Sequence, residues 1–385
     1  MVSVVKSGRS EAELFFNPNV EALPKYNAGL TVAAARTASG REFVARLGSN
    51  ENPHGCSPAV LRALTEQNVD FSRYSDPGCE LLRAALAASL GVDPAVIVIG
   101  NGSEEMIAAA SRAFLAEGAA ALTVGPSFGL HEIEPLAVGA TVSKVPMTSA
   151  LDFDVPGLEA ALAQAPNLFF LPSPWNPVGA ALDANGLERV IRATSPATMF
   201  VLDEAYREFA STNVPDGLVA LRRTGKPYIV LRTFSKAFGL AGLRVGYAVC
   251  SSPRIARVLA AAKTPFNVNS VAQVAAVAAL GDQQWMRDTT GQIRVERERV
   301  RGALLGMGLQ VAPSEGNFLF FDCGRSSAEV AAQLLQLGVI VKPWLEPKYQ
   351  GFIRASIGSR QENDLFLDSL RVVLRPVRAG VAAVR

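Results

Sequence analysis

The sequence predicts an α/β protein built on a mostly parallel, fully covered sheet flanked by helices, with a smaller α+β lobe beside it. Three observations predict this. Apolar runs of strand length alternate with helical patterns, the runs are apolar on both faces, and the rhythm changes from about residue 290. Doubly apolar strands separated by helices are the pattern of a sheet covered on both sides. In chain order, the Ala- and Leu-rich helix "ELLRAALAASLG" precedes the strand "AVIVIG" (95–100). The helix "EEMIAAASRAFLAEG" follows, then the strands "AALTVG" (120–125), "TVSKVPM" (141–147), "NLFFLPSP" (167–174), "TMFVLDEAY" (198–206), "YIVLRTF" (228–234) and "RVGYAVC" (244–250). The charged helix "GQIRVERERVRGALLGMG" marks the change. It leads to "GNFLFFDCG", "GVIVKPW" and "FIRASIG", read as strands of the smaller lobe, closed by the helix "QENDLFLDSLRVVLR". The expected division is an N-terminal arm with part of the small domain over 1–58, a large domain over 59–285 and a small C-terminal domain over 286–385.

Composition narrows the function. With 37 basic and 35 acidic residues the net charge is +2, which gives no reason to expect nucleic acid or an anionic membrane as partner. No apolar window is long enough for a membrane span, and the N-terminus lacks the apolar run of a secretory signal. The four cysteines share no short spacing, so neither a disulfide framework nor a zinc site is expected, and a cytoplasmic location fits. Two distant histidines, His54 and His131, are a poor start for a metal centre.

In open α/β sheets, ligands collect at the carboxyl ends of the strands. After "AVIVIG" comes "NGSEE", where Gly102 and Ser103 open a helix; free N–H groups and a positive dipole end suit a phosphate, although taken alone the turn reads first as a plain N-cap at Ser103. After "NLFFLPSP" comes Asn176 in turn chemistry, and after "MFVLD" Asp203 ends an apolar strand with Tyr206 three residues on. After "YIVLR" comes "TFSKAFGLAGLR", with Thr233, Ser235, Lys236 and Arg244. Lys236 has no acidic neighbour in that stretch. Together these residues suit one cofactor type, a phosphorylated aromatic aldehyde with a ring nitrogen. A desolvated lysine is a nucleophile for the aldehyde, an acid keeps the ring nitrogen protonated, and the arginine and hydroxyls hold the phosphate.

The blocks "LGSNENPHGCSP", "SRYSDPGCELLRAALA", "GNGSEEMI", "GPSFGLHEI", "PSPWNPVGA", "LDEAYREF", "TFSKAFGLAGLRVGY", "PFNVN", "EGNFLFF" and "FIRASIG" carry a family likeness. Over nearly the whole chain it resembles the fold-type-I aminotransferases that use pyridoxal 5'-phosphate, and within them the histidinol-phosphate aminotransferase family. The resemblance implies a Schiff base on Lys236 and proton transfer by the same lysine. It implies that Asp203 pairs with the pyridine nitrogen, that Asn176 and Tyr206 meet the phenolic oxygen, and that Phe128 stacks on the ring. Ser103, the backbone of Glu104, Thr233, Ser235 and Arg244 would cradle the phosphate, joined by Tyr74 from a neighbouring subunit of a homodimer. Arg354 would clamp a substrate carboxylate. Tyr26, on an N-terminal arm, and Asn317 are placed with the substrate.

The chemistry so implied is ping-pong transfer of nitrogen from L-histidinol phosphate to 2-oxoglutarate, giving imidazole acetol phosphate and glutamate. The sequence departs from that family where substrate is chosen. Lys342 stands where an arginine suited to the substrate phosphate is usual, Trp344 follows it, and Trp175 and Val178 replace asparagine and threonine. An aromatic amino-acid aminotransferase is therefore a second expectation. A decarboxylase of a phosphorylated amino acid and a non-catalytic binding protein on the same scaffold are further ones. His131, where a tyrosine is common, reads as a solvated or satisfied helix residue ahead of a catalytic one.

Overall fold

A computed structural model of the chain describes residues 14–24, 29–67 and 69–375. The first strand, β1 (Ala45–Arg46), comes early and is followed by seven that form one sheet: β2 (Ile97–Gly100), β3 (Ala120–Gly125), β4 (Thr141–Pro146), β5 (Leu168–Pro172), β6 (Met199–Asp203), β7 (Tyr228–Thr233) and β8 (Gly246–Cys250). Their order across the sheet is β2-β8-β7-β6-β5-β3-β4. Every pairing is parallel except those of β8, which runs antiparallel to both β2 and β7. All seven expected strands are present. β5, β6, β7 and β8 are buried at every residue, which is why they read as unbroken apolar runs.

The reversal of β8 places a basic residue at the functional edge. The carboxyl ends of the other strands share one edge of the sheet, and the amino end of β8 comes to that same edge. Arg244, two residues before β8, thus arrives beside the ends of β2 and β7.

The rest of the chain builds a second sheet of order β12-β13-β10-β9, from β9 (Gln310–Val311), β10 (Phe318–Asp322), β12 (Lys342–Pro343) and β13 (Phe352–Ser356). All of its pairings are antiparallel. β11 (Val339–Ile340) leaves this sheet and pairs in parallel with β1. The helices Gln283–Gly306, Ser327–Gln336 and Arg360–Leu374 accompany it. The last begins with a reciprocal cap in which Ser359 and Glu362 satisfy each other's backbone N–H groups. Among the described residues, no helix is long and apolar enough to cross a membrane.

Candidate active site

One cavity at the carboxyl edge of the large sheet gathers the ends of β2, β5, β6 and β7, the approach to β8, and side chains from β12 and β13. At the end of β2 the chain turns through Gly102, at φ +78°, into the helix Gly102–Phe114, whose first turn carries Ser103 and Glu104. Gly246 faces this turn, and a Cβ there would lie 2.5 Å from the Ser103 amide nitrogen, so only glycine lets strand and helix end meet. Thr233 donates its hydroxyl to Ser235 Oγ at 3.1 Å and accepts from the Ser235 N–H at 3.1 Å. Arg244, itself in left-handed backbone at φ +58°, lies against these groups. Its Nη1 is 3.4 Å from Ser235 Oγ and its Nη2 donates to Glu104 Oε2 at 3.1 Å. A helix N-terminus, an arginine and three hydroxyls form a donor set suited to a phosphate dianion.

Asp203 ends β6, 5% exposed, with Oδ1 accepting from the Ala205 N–H at 3.0 Å. Behind it lies His131, fully buried, with Nε2 3.2 Å from Asp203 Oδ2 and Nδ1 3.2 Å from Ser127 Oγ. Ser127 in turn is 3.3 Å from the Thr123 hydroxyl, and the imidazole stacks on Phe170 at 5.0 Å between centroids. The sequence alone suggests a solvated or self-contained His131; the structure puts it against the site acid. Lys236 Nζ donates to the Ser49 carbonyl at 3.0 Å and stands 5.9 Å over the Tyr206 ring. Burial, reinforced by the Arg354 guanidinium, pulls its pKa down to about 8.

The opposite wall comes from the second sheet. Arg354 donates from Nη1 to Asn176 Oδ1 at 2.7 Å and from Nη2 to the Gly48 carbonyl at 2.6 Å. Lys342 is its register partner across β12 and β13, and Trp344 follows on the same wall. Burial, then Arg354, lowers the Lys342 pKa to about 8. The segment carrying Trp344 is held to the large sheet by Lys144, which reaches Glu346 at 2.8 Å and Glu132 at 3.0 Å, and by the Tyr349 hydroxyl donating to the Gly125 carbonyl at 2.8 Å.

A model of the family described as aminotransferase class I and II matches residues 43–370. The chain belongs to the class I and II aminotransferases. Histidinol-phosphate aminotransferase 3 of Rhizobium meliloti is 42% identical over 355 residues, 92% of this chain and 96% of that protein. Histidinol-phosphate aminotransferase 1 of Mesorhizobium japonicum is 41% identical over 354 residues, covering 91% of this chain and 95% of that one. The crystal structure of histidinol-phosphate aminotransferase from Sinorhizobium meliloti, in complex with pyridoxal-5'-phosphate, superposes with a TM-score of 0.85 at 31% identity. That match covers 94% of this chain and 99% of the other.

In this aminotransferase the residues singled out from sequence fall into three groups. Ser103, Glu104, Phe128, Asn176, Asp203, Tyr206, Thr233, Ser235, Lys236, Arg244, Lys342 and Arg354 all line the one cavity. Two others do not. Tyr74 is 84% exposed and stacks on Phe266, centroids 4.6 Å apart. Asn317 is fully buried behind the wall, its amide donating to the Asn50 carbonyl at 3.0 Å. Tyr26 lies outside the described residues. Sequence reasoning passes over Asn50, whose amide donates to the Tyr206 hydroxyl at 2.9 Å, although it stands in the block "LGSNENPHGCSP". An asparagine in left-handed backbone, φ +54°, is the one local signal there, and it shows only in three dimensions.

Proposed function

We propose that this aminotransferase converts L-histidinol phosphate and 2-oxoglutarate reversibly into imidazole acetol phosphate and L-glutamate, with pyridoxal 5'-phosphate as cofactor. The observation that carries the reading is one cavity holding a phosphate cradle, a buried acid and a desolvated lysine, in a chain 42% identical to a histidinol-phosphate aminotransferase. The residues fit the cofactor. Ser103, the Glu104 amide, Thr233, Ser235 and Arg244 would hold its phosphate, Asp203 its ring nitrogen, Asn176 and Tyr206 its ring oxygen, and Phe128 its face. Bound there, pyridoxal 5'-phosphate supplies an aldehyde that condenses with amines and a ring that withdraws electrons from the carbon bearing the amino group.

The chain's own residues do the rest. Asp203, kept from water and backed by His131, holds a proton on the ring nitrogen. Lys236, with its pKa drawn down toward working pH, would take the proton from the amine-bearing carbon of the donor and act as the proton carrier of the site. Histidinol phosphate has no α-carboxylate, so Arg354 serves the 2-oxoglutarate half with a two-pronged bond to its carboxylate. Lys342 meets the donor phosphate as a point charge. Trp344 favours a second reading, in which an aromatic amino acid is the donor.

The reading includes a cytoplasmic homodimer. Tyr74, Phe71 and Leu81 are more than four-fifths exposed, and a second copy of the chain would cover them and receive the Tyr74 hydroxyl at its phosphate cradle. It also includes a division into an N-terminal arm (1–58), a large cofactor domain (59–285) and a small domain (286–385). The test is visible absorbance of the cofactor-loaded protein, with histidinol phosphate or phenylalanine added and no keto acid. Bleaching by low histidinol phosphate, with phenylalanine nearly inert, is expected. Bleaching by phenylalanine alone overturns the histidinol phosphate assignment, and a protein that takes up no colour overturns the catalytic reading.

A further inference from the structure

The proposed contact between Tyr206 and the cofactor's ring oxygen leaves open which way the phenolic proton points, and the neighbourhood of Asn50 decides it. Asn50 is 1% exposed, and its Nδ2 is 2.9 Å from Tyr206 Oη. A side-chain amide can turn either its oxygen or its NH₂ toward a neighbour. An amide oxygen would take the phenolic proton; an amide NH₂ donates, so the proton goes to another acceptor. In the structure the orientation goes with Ser356. Its Oγ accepts from the Asn50 backbone N–H at 2.7 Å, and its single proton goes to Asn50 Oδ1 at 2.9 Å. With Oδ1 committed to Ser356, the NH₂ faces Tyr206. Asn317 steadies the same residue by donating to its carbonyl at 3.0 Å. We propose that Asn50 is a positioning residue which, oriented by Ser356, aims the Tyr206 hydroxyl proton into the cavity, where it is donated to the ring oxygen of the cofactor. This role rests on the proposed binding of pyridoxal 5'-phosphate.

A hydrogen bond donated to that oxygen stabilises its anionic form. Losing the bond raises the pH at which the visible absorption of the loaded protein changes, by about one unit for a charge-assisted bond. The experiment loads wild type, N50D, S356A and Y206F with pyridoxal 5'-phosphate, titrates the visible spectrum against pH and records melting temperatures. Asp tolerates left-handed backbone as Asn does, so N50D keeps the fold while its carboxylate takes the phenolic proton. Midpoints raised by about one unit in Y206F and N50D, and by a smaller step in S356A, are expected. S356A adds no charge, so its shift reports the loss of the two Ser356–Asn50 bonds and serves equally if N50D fails to fold. A raised midpoint in Y206F with wild-type midpoints in N50D and S356A overturns the role of Asn50 and leaves the cofactor reading standing. A Y206F midpoint equal to wild type overturns the Tyr206–cofactor contact itself, and the inference with it.

Discussion

The two walls of the cavity are built on different plans. The wall proposed to hold the cofactor is made of strand ends from one sheet: Asp203 and Thr233 end buried strands, the turn at Gly102 comes just after another, and Arg244 is delivered by the reversed β8. The substrate wall comes from β12 and β13, with Trp344 on a loop pinned to the other sheet by Lys144 and Tyr349. One wall is fixed by the sheet; the other is held across a gap between two sheets. On the proposed reading, chemistry common to a whole family sits on the first and substrate choice on the second, where this chain carries Lys342 and Trp344.

Three substitutions sharpen or break that contrast. The largest effect is expected on the cofactor wall. Lys236→Met removes nucleophile and proton carrier together, and turnover of histidinol phosphate is expected to fall at least about 10⁴-fold. The same variant has a signature in stability. Lys236 without cofactor titrates near 8 when folded and at the ordinary 10.5 when unfolded, so between those values the unfolded chain binds the proton and the folded one does not. Cofactor-free wild type therefore gains stability as pH rises through that window. Lys236→Met should melt higher than wild type at pH 7, with the gap closing toward pH 10; a gap that widens contradicts a desolvated lysine.

The second effect is smaller and confined to one substrate. Arg354→Ala is expected to raise the KM for 2-oxoglutarate by about 10²-fold, while bleaching of the loaded protein by histidinol phosphate changes little. Equal damage to both halves, measured by single-turnover absorbance, would show that Arg354 acts on Asn176 and the Gly48 carbonyl rather than on the keto acid. The smallest effect is set for Lys342→Ala, a KM for histidinol phosphate raised about tenfold, the worth of one charge-assisted contact, with phenylalanine turnover unchanged. Loss of both donors alike removes the phosphate role.

Legibility in the sequence follows the same contrast. Six of the seven strands of the large sheet are readable because a strand buried on both faces has little polar alternation to confuse it, and the residues at their ends inherit a known position, whereas β4, at the sheet edge, is largely exposed or half-buried. β1 and β9, two residues each, are too short to carry a period and escape a reading of the sequence. Asn317 adjoins β10, which suggests a place beside the substrate, but nothing local says which way an isolated amide turns, and it turns inward to Asn50. His131 is easily discounted for the same reason. Its helix shows it as one residue among many, whereas its value comes from Asp203, 3.2 Å away and far along the chain.

The pairing of β1 with β11 has a consequence for how the protein comes into being. Ala45 and Leu47 donate to the carbonyls of Gly338 and Ile340, Ser356 donates back to the Leu47 carbonyl, and Asn50 reaches Ser356 across 306 positions of chain. The lip of the cavity, with the Gly48 and Ser49 carbonyls and Asn50, thus has its anchors near the far end of the polypeptide. During synthesis the large sheet can close once β8 has emerged, yet these early residues must wait for the last strand to leave the ribosome. The lip of the cavity is complete only once β13 is in place.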